Sequence, residues 1–209
     1  MCCRYFADLR EELVPVVEEM NRSPLLSRVP AGLKIIREGE VRPTNVAPVV
    51  ATARNGHRAV FPMKWGFLER TLLINARTET AGQKPVFRDA WAAHRCAIPA
   101  SWYFEWEHLP TPDGRKKTGD KYRLRPEDTA VTWLGGLYRL EGGFPCFVVL
   151  TREPGESIRF IHDRMPLILP DSRISDWIRP DADPAEIAAS ALTDLRFERE
   201  VSAENRLPV

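Results

Sequence analysis

Proline is the residue type that most limits what this chain can fold into. Eighteen prolines are spread through 209 residues. Proline fixes φ and has no amide hydrogen, so it interrupts helices and central strands. Apolar residues recur with a helical period only over short stretches. The pattern predicts many short strands and loops, and the class that we expect is α+β with mostly antiparallel strands.

Segments rich in β-branched and aromatic residues predict the strands. They are residues 49–53, 59–62, 72–75, 96–98, 102–106, 121–125, 131–138, 144–150 and 166–169. Asn55 and Gly56 stand between the first two segments and predict a hairpin turn.

Three short helices follow from apolar spacing, and a fourth from a capping pattern. Residues 7–14 have an amphipathic pattern that Pro15 should end, and residues 87–93 and 171–177 are similar. Asp183 is followed by Pro and, three residues on, by Glu, which is typical of a helix start. The chain shows no repeat and no linker, so we expect one domain over residues 1–209.

Composition excludes several classes of protein. Thirty basic and 29 acidic residues give a net charge of +1, so any basic groove has to be local. No apolar run is long enough to cross a membrane, and charges in the first twenty residues argue against a signal peptide. The four cysteines, Cys2, Cys3, Cys96 and Cys146, have no CxxC spacing, which favours a reducing cytoplasm over a structural zinc site.

Cys2 directly follows Met1. If Met1 is removed, Cys2 carries a free α-amine and a thiol on adjacent carbons. The amine condenses with an aldehyde to a Schiff base, and the thiol then closes a five-membered thiazolidine on the same carbon. These groups ordinarily titrate near ~7.7–8.0 and ~8.5, so both are partly deprotonated near neutral pH. The alternative is an ordinary thiol near a terminus.

Polar residues end one predicted strand and interrupt another. Residues 75–80, Asn-Ala-Arg-Thr-Glu-Thr, follow the apolar 72–74, and either a site at a rim or an ordinary exit into a loop explains them. Glu105 lies in an aromatic run where alternation puts it with Tyr103, opposite Trp102, Phe104 and Trp106. Aromatic surroundings raise the pKa of a carboxyl, which suits acid–base catalysis, whereas a surface glutamate is the plain alternative.

The segment 162–166, His-Asp-Arg-Met-Pro, comes after Thr151 and before an apolar run. His162 suits proton transfer near neutral pH, and Arg164 suits bidentate binding of phosphate or carboxylate. A salt-bridged loop is the alternative. Trp65 and Phe67 suit stacking on a base, although a core position explains Trp65 equally well. His57, His94 and His108 are assigned no role.

Taken together, these segments resemble the SOS response-associated peptidase (SRAP) family, whose members shield abasic sites in single-stranded DNA by covalent attachment. The motifs occur in order over nearly the whole chain. They are Met1-Cys2-x-Arg4-Tyr5, Pro43 through Ala47-Pro48, Trp65-Gly66, Asn75-Ala76-Arg77-x-Glu79-Thr80, Phe87 with Arg95-Cys96-x-x-Pro99, Tyr103-Phe104-Glu105-Trp106, and Thr151 with His162-Asp163-Arg164-Met165-Pro166. Cys3 replaces a usual Gly, and Ser101-Trp102 replaces a usual Asp-Gly.

The resemblance implies a barrel-like sheet core with short flanking helices, and it implies roles for particular residues. Cys2 would form the thiazolidine after Met1 is removed, by self-cleavage or by an aminopeptidase. Asn75 would hold the Cys2 amine, Glu105 would be the general acid and base, and His162 would move protons. The DNA-binding set that we expect is Arg4, Trp65, Phe67, Arg77, Thr151 and Arg164.

The partner that the resemblance implies is single-stranded DNA with an abasic site, bound in the damage response by a cytoplasmic monomer that joins the nucleoid when on DNA. No metal, organic cofactor or membrane is expected to take part. Three alternatives stay open. They are a cysteine hydrolase that uses Cys2, His162 and Asn75, a reader of damaged or modified DNA that binds without a covalent bond, and a domain with no role on nucleic acid.

Overall fold

A computed structural model describes residues 3–111 and 115–200. The strands are β1 (Arg4–Ala7), β2 (Gly39–Val41), β3 (Val46–Thr52), β4 (Arg58–Trp65), β5 (Phe67–Leu68), β6 (Leu72–Leu73), β7 (Asn75–Arg77), β8 (Arg95–Ala100), β9 (Trp102–Pro110), β10 (Lys116–Arg125), β11 (Thr132–Glu141), β12 (Phe144–Arg152), β13 (Met165–Pro166), β14 (Ile168–Leu169) and β15 (Arg196–Arg199). The helices are α1 (Val14–Asn21), α2 (Thr78–Ala81), α3 (Pro85–Ala93), α4 (Ile174–Ile178) and α5 (Pro184–Ala189).

A closed barrel forms the centre of the described chain. Strands β12, β4, β3, β8 and β11 pair in that order, and β11 pairs back onto β12. The pairs are antiparallel except β12 with β4 and with β7. The predicted class, α+β with mostly antiparallel strands in a barrel-like core, is confirmed.

The barrel strands are apolar on both faces because both faces are covered. In β12, Phe147 packs in a cluster with Trp65, whereas Val148 packs in a second cluster with Trp177 of α4. All described residues of β8 are buried. Strands that are covered on both faces have nearly continuous apolar sequences instead of alternating ones.

A second sheet lies beside the barrel in the order β15-β10-β9-β1-β2. Antiparallel register places Arg4 opposite Phe104 and Tyr5 opposite Tyr103. Tyr103 and Glu105 are buried, at 1% and 4% exposure, on the face predicted by alternation. This sheet therefore holds the beginning of the described chain against the strand that carries Glu105.

Several local predictions are confirmed, and one helix prediction is wrong. Gly56 has φ of +81° in the β3–β4 turn, as the Asn-Gly pair predicted. Asp183 caps α5 by accepting from the amide of Ala185 at 2.8 Å. The helix expected at 7–14 instead begins at Val14, with Pro15 in its first turn, where no intrahelical amide bond is lost. Residues 4–7 form a strand.

The structure also bears on membrane spanning. Among the described residues, every helix is too short or too polar to span a bilayer.

Candidate functional site

Glu105 and His162 meet in a buried site between the second sheet and the loop before β13. Glu105 is 4% exposed and His162 is 5% exposed. The distance from His162 Nε2 to Glu105 Oε1 is 4.0 Å. A backbone bond from the amide of His108, in β9, to the carbonyl of Ile161 at 3.0 Å fixes the loop against the strand. A main-chain hydrogen bond thus holds the loop that carries His162 against the strand that carries Glu105.

The other nitrogen of His162 faces both a donor and an acceptor. Nδ1 accepts from the amide of Arg164 at 2.9 Å, and Asp163 Oδ1 lies 2.8 Å away. A neutral ring can accept the Arg164 hydrogen at Nδ1, whereas a protonated ring can donate to Asp163. The site therefore accommodates both protonation states of His162, as a proton shuttle requires.

Burial raises the pKa of Glu105 from 4.5 to about 7, and the negative charge of Asp163 adds to this rise. A hydrogen bond from the Trp106 amide acts in the opposite direction. Removing water from around the Glu105 carboxylate disfavours its charged form more than the Trp106 amide favours it. At neutral pH the carboxyl is thus divided between protonated and ionised forms, which suits both acid and base roles.

The beginning of the described chain lies within the electrostatic influence of this carboxyl. The pKa of the Cys3 thiol is raised above 9.0, mainly by burial and next by the charge of Glu105, while Arg4 acts in the opposite direction. The thiolate fraction of Cys3 at neutral pH is therefore small. Cys2 and Met1 lie outside the described residues.

The segments 75–80 and 162–166 are joined through Thr151. The hydroxyl of Thr151, which is fully buried, donates to the carbonyl of Ala76 at 3.3 Å. Arg164 donates to the carbonyl of Thr151 at 2.6 Å and binds both oxygens of Glu79 at 2.8 Å. Parallel pairing of β7 with β12 puts Asn75 opposite Val149. Four of the predicted site residues, Asn75, Arg77, Thr151 and Arg164, thus belong to one connected unit.

Comparisons with known proteins show the family of this chain. The profile of the family described as SOS response associated peptidase (SRAP) matches residues 1–204. The chain belongs to the SRAP family. It is 32% identical over 161 residues to Abasic site processing protein YoaM of Bacillus subtilis (strain 168), covering 68% of this chain and 69% of the relative. It is 30% identical over 204 residues to Abasic site processing protein YobE of the same organism, covering 88% and 85%.

Solved structures support the fold of this SRAP chain. A protein from Bacteroides thetaiotaomicron superposes with a TM-score of 0.72 at 21% identity, covering 96% of this chain and 93% of that one. A phage-related protein from Bordetella bronchiseptica gives 0.70 at 22% identity, covering 95% and 94%.

Trp65 and Phe67 are core residues of this SRAP chain. Both are 0% exposed, which leaves no ring surface for a base, so the predicted stacking role is not supported and the core interpretation fits. Trp65 Nε1 donates to the carbonyl of Ile74 at 2.9 Å, and its ring packs against Phe147 at 5.9 Å. Its contribution is to hold the chain just before Asn75.

The predicted arginines differ in their availability. Arg77 is exposed. The side chain of Arg164 is 12% exposed and its guanidinium is held by Glu79, whose pKa it lowers. Arg4 pairs with Glu40 at 3.1 Å and lies 5.1 Å from the Trp106 ring centroid. Arg77 is thus the most accessible of the three to a phosphate.

Sequence reasoning missed His108, whose ring centroid lies 4.0 Å from that of His162. Strict alternation puts residue 107 on the same face as Glu105 and puts His108 on the opposite face. The contact between His108 and His162 is therefore visible only in the folded strand. Three atoms that could bind a metal lie within 4.8 Å of one another, one each from His108, His162 and Asp163. Within residues 3–111 and 115–200, these three form the group that could hold a metal. Two of the three, His162 and Asp163, already lie at hydrogen-bonding distance from each other. The expectation that no metal takes part stays a prediction.

The raised pKa of Glu105 predicts a pH-dependent stability. The folded state keeps a proton that the unfolded state releases between pH 4.5 and about 7. The free energy of unfolding should therefore fall as pH rises through this window, by on the order of 3 kcal/mol at most. Glu105→Gln should lack this fall. Urea unfolding at pH 5 and pH 8 measures the difference, and equal losses in both proteins would contradict the assignment.

Proposed function

We propose that this chain binds abasic sites in single-stranded DNA and joins them covalently through Cys2 after Met1 is released. The carrying observation is the buried pair of Glu105 and His162 beside the beginning of β1, where Glu105 already influences Cys3. Membership of the SRAP family and relatives named abasic site processing proteins support the substrate class.

The first step of the proposal is release of Met1. Water adds across the peptide bond between Met1 and Cys2, so that methionine leaves with a carboxyl and Cys2 gains a free α-amine. Glu105 can take a proton from the attacking water and return it to the departing amine, because its pKa of about 7 allows both directions. In this step the chain acts as a peptidase on itself.

The second step forms the crosslink. The abasic sugar opens to its aldehyde, the Cys2 amine adds to that carbon, and water leaves to give a Schiff base. The thiol sulfur then bonds to the same carbon while its proton passes to the nitrogen, which closes the thiazolidine. The carbon–nitrogen bond and the carbon–sulfur bond both form within one protein–DNA complex. Reacting groups that are oriented in this way reach effective molarities of about 10⁵ M or more.

The proposal assigns a role to each residue of the site. Glu105 donates the proton that lets water leave, and His162, 4.0 Å from it, moves protons during opening of the sugar and reversal of the link. Asn75 holds the Cys2 amine. Arg77 contacts a phosphate beside the lesion, while Arg164 acts by fixing Glu79 and the Thr151 carbonyl. Phosphate contacts carry no sequence information, so binding should depend strongly on salt and weakly on sequence.

A denaturing gel tests the proposal. Untagged protein is mixed with a single-stranded oligonucleotide that carries one abasic site, and an undamaged oligonucleotide is run beside it. We expect a heat-stable shifted band with the lesion only. No band, when the intact mass shows that Met1 is gone, would reject the covalent mechanism in favour of a hydrolase or a reader that binds without a covalent bond.

His162→Ala is expected to slow crosslinking or its reversal by about 10²-fold, since a positioned acid–base group contributes roughly 10² to 10⁴. The rate of crosslinking is read from gel time courses at saturating DNA. The rate of reversal is read from gel time courses with excess competing protein. His57→Ala, at an exposed turn residue, is the matched control. Unchanged rates in both directions would remove His162 from the mechanism.

A further inference from the structure

A basic pocket lies on the second sheet, on the face opposite to Glu105. Its volume is about 230 Å³. It is lined by one aromatic ring, four guanidinium groups and one carboxylate: Trp102, Arg10, Arg123, Arg125, Arg196 and Glu198. We call it the Trp102 pocket. Because side chains alternate along β9, Trp102 and Glu105 point to opposite faces of the strand. The pocket is therefore separate from the proposed crosslinking site.

Two arginines of the pocket stand directly opposite each other. Arg125 of β10 is the register partner of Arg196 of β15. Like charges in that position destabilise a sheet. No ion pair of either arginine is found within residues 3–111 and 115–200, and the buried Nε of Arg196 has no hydrogen-bond partner there. This arrangement favours binding of an anion between the two guanidinium groups.

The remaining charges of the pocket are already matched. Arg10 pairs with Asp8 at 2.8 Å, and Arg123 pairs with Glu198. The uncompensated positive charge is thus concentrated at the Arg125 and Arg196 pair. Guanidinium groups bind phosphate oxygens in a planar, bidentate manner, so a phosphate is the anion that suits this pair.

Aromatic rings continue from the pocket along the same face. Trp102 stacks on Phe6 with centroids 4.6 Å apart and planes 5° apart. Phe104 and Trp106 follow at two-residue spacing, and Lys121 Nζ lies 3.7 Å and 5.6 Å from their respective ring centroids. The row from Trp102 to Trp106 is ~13 Å long. Phe104 is 4% exposed, so the rings of this row that a base can reach are the half-buried Trp102 and Trp106. Partly exposed rings beside cations bind single-stranded nucleic acid.

We propose that the Trp102 pocket binds a phosphate of the DNA strand, with a neighbouring base on the Trp102 ring, at a distance from the crosslinked nucleotide. This proposal rests on the proposed function in one respect only, which is that the partner is single-stranded DNA. The occupant follows from charge complementarity at the arginine pair and from the adjoining aromatic row.

The test measures binding of undamaged DNA. A labelled single-stranded oligonucleotide is titrated with protein by fluorescence anisotropy at several salt concentrations. Arg125→Ser with Arg196→Ser is expected to weaken binding roughly tenfold at low salt, and to reduce the salt slope by about 0.7 for each phosphate that the variant no longer binds. Trp102→Gly should weaken binding with little change in slope. Arg22→Ser with Arg28→Ser, at exposed arginines, removes the same charge and is the matched control.

Each outcome decides the proposal. Equal weakening in the Arg125/Arg196 double variant and the control would overturn it. Competition by a deoxynucleoside monophosphate at equal phosphate concentration would assign the pocket to a free nucleotide, and equal competition by a glutamate oligomer would assign it to acidic protein. Either result overturns the strand assignment. Crosslinking of abasic DNA by the wild-type protein is measured separately. If no form crosslinks, the proposed function fails while the anisotropy result stands.

Discussion

Replacing Cys2 with Ala is expected to abolish the heat-stable adduct with abasic DNA. The α-amine of the substituted alanine can still form a Schiff base, but no thiol is present to close the ring, and water reverses the imine. Treatment with borohydride should therefore trap an adduct with Cys2→Ala, although none survives denaturation without it. The measurement is the denaturing gel with and without reduction. An undiminished adduct without borohydride would contradict the aminothiol mechanism.

Cys3→Ala is the matched control for that experiment. Burial and the charge of Glu105 raise the pKa of the Cys3 thiol, which keeps it mostly protonated and weakly nucleophilic at neutral pH. Cys3 also has no free α-amine, since Cys2 precedes it. We expect the Cys3→Ala protein to form the adduct at a rate within about threefold of wild type. A loss of adduct equal to that of Cys2→Ala would mean that the second thiol takes part.

Arg95→Met is expected to cause the largest loss of stability, about 3–5 kcal/mol, because it removes a buried charge that satisfies several carbonyls at once. Arg95 is 1% exposed, at the start of β8. Its guanidinium donates to carbonyls near the ends of α3 and α4, those of Trp91, Ala92, Trp177, Arg179 and Ala182. Removing it leaves these acceptors buried without their donor.

Urea unfolding measures this effect. Arg88→Met is the control, because Arg88 is exposed, is paired only loosely with Asp89 at 3.4 Å, and should change stability by less than about 0.5 kcal/mol. The midpoint for Arg95→Met should fall with little change in the slope of the transition. Equal midpoints for the two variants would contradict a structural role for Arg95.

The sequence by itself determined the family and most of the strands. Its ordered motifs span the chain, and alternation placed Glu105 with the buried Tyr103 on the face opposite to Trp102. Turn and cap chemistry is also local, so Gly56 and Asp183 could be predicted from their neighbours. Such signals act over a few residues, and no long-range contact is needed to interpret them.

Only the tertiary structure decided which polar groups meet. Contacts between residues far apart in the chain depend on strand register and barrel closure, which local patterns do not specify. The fold placed Trp65 and Phe67 in the core, where the sequence had left Trp65 open between a stacking position and a core position, and it brought His108 against His162. It also aligned Arg125 with Arg196, although the strands β11 to β14 lie between them in the chain. Burial, likewise a property of the fold, sets the pKa of Glu105 at about 7.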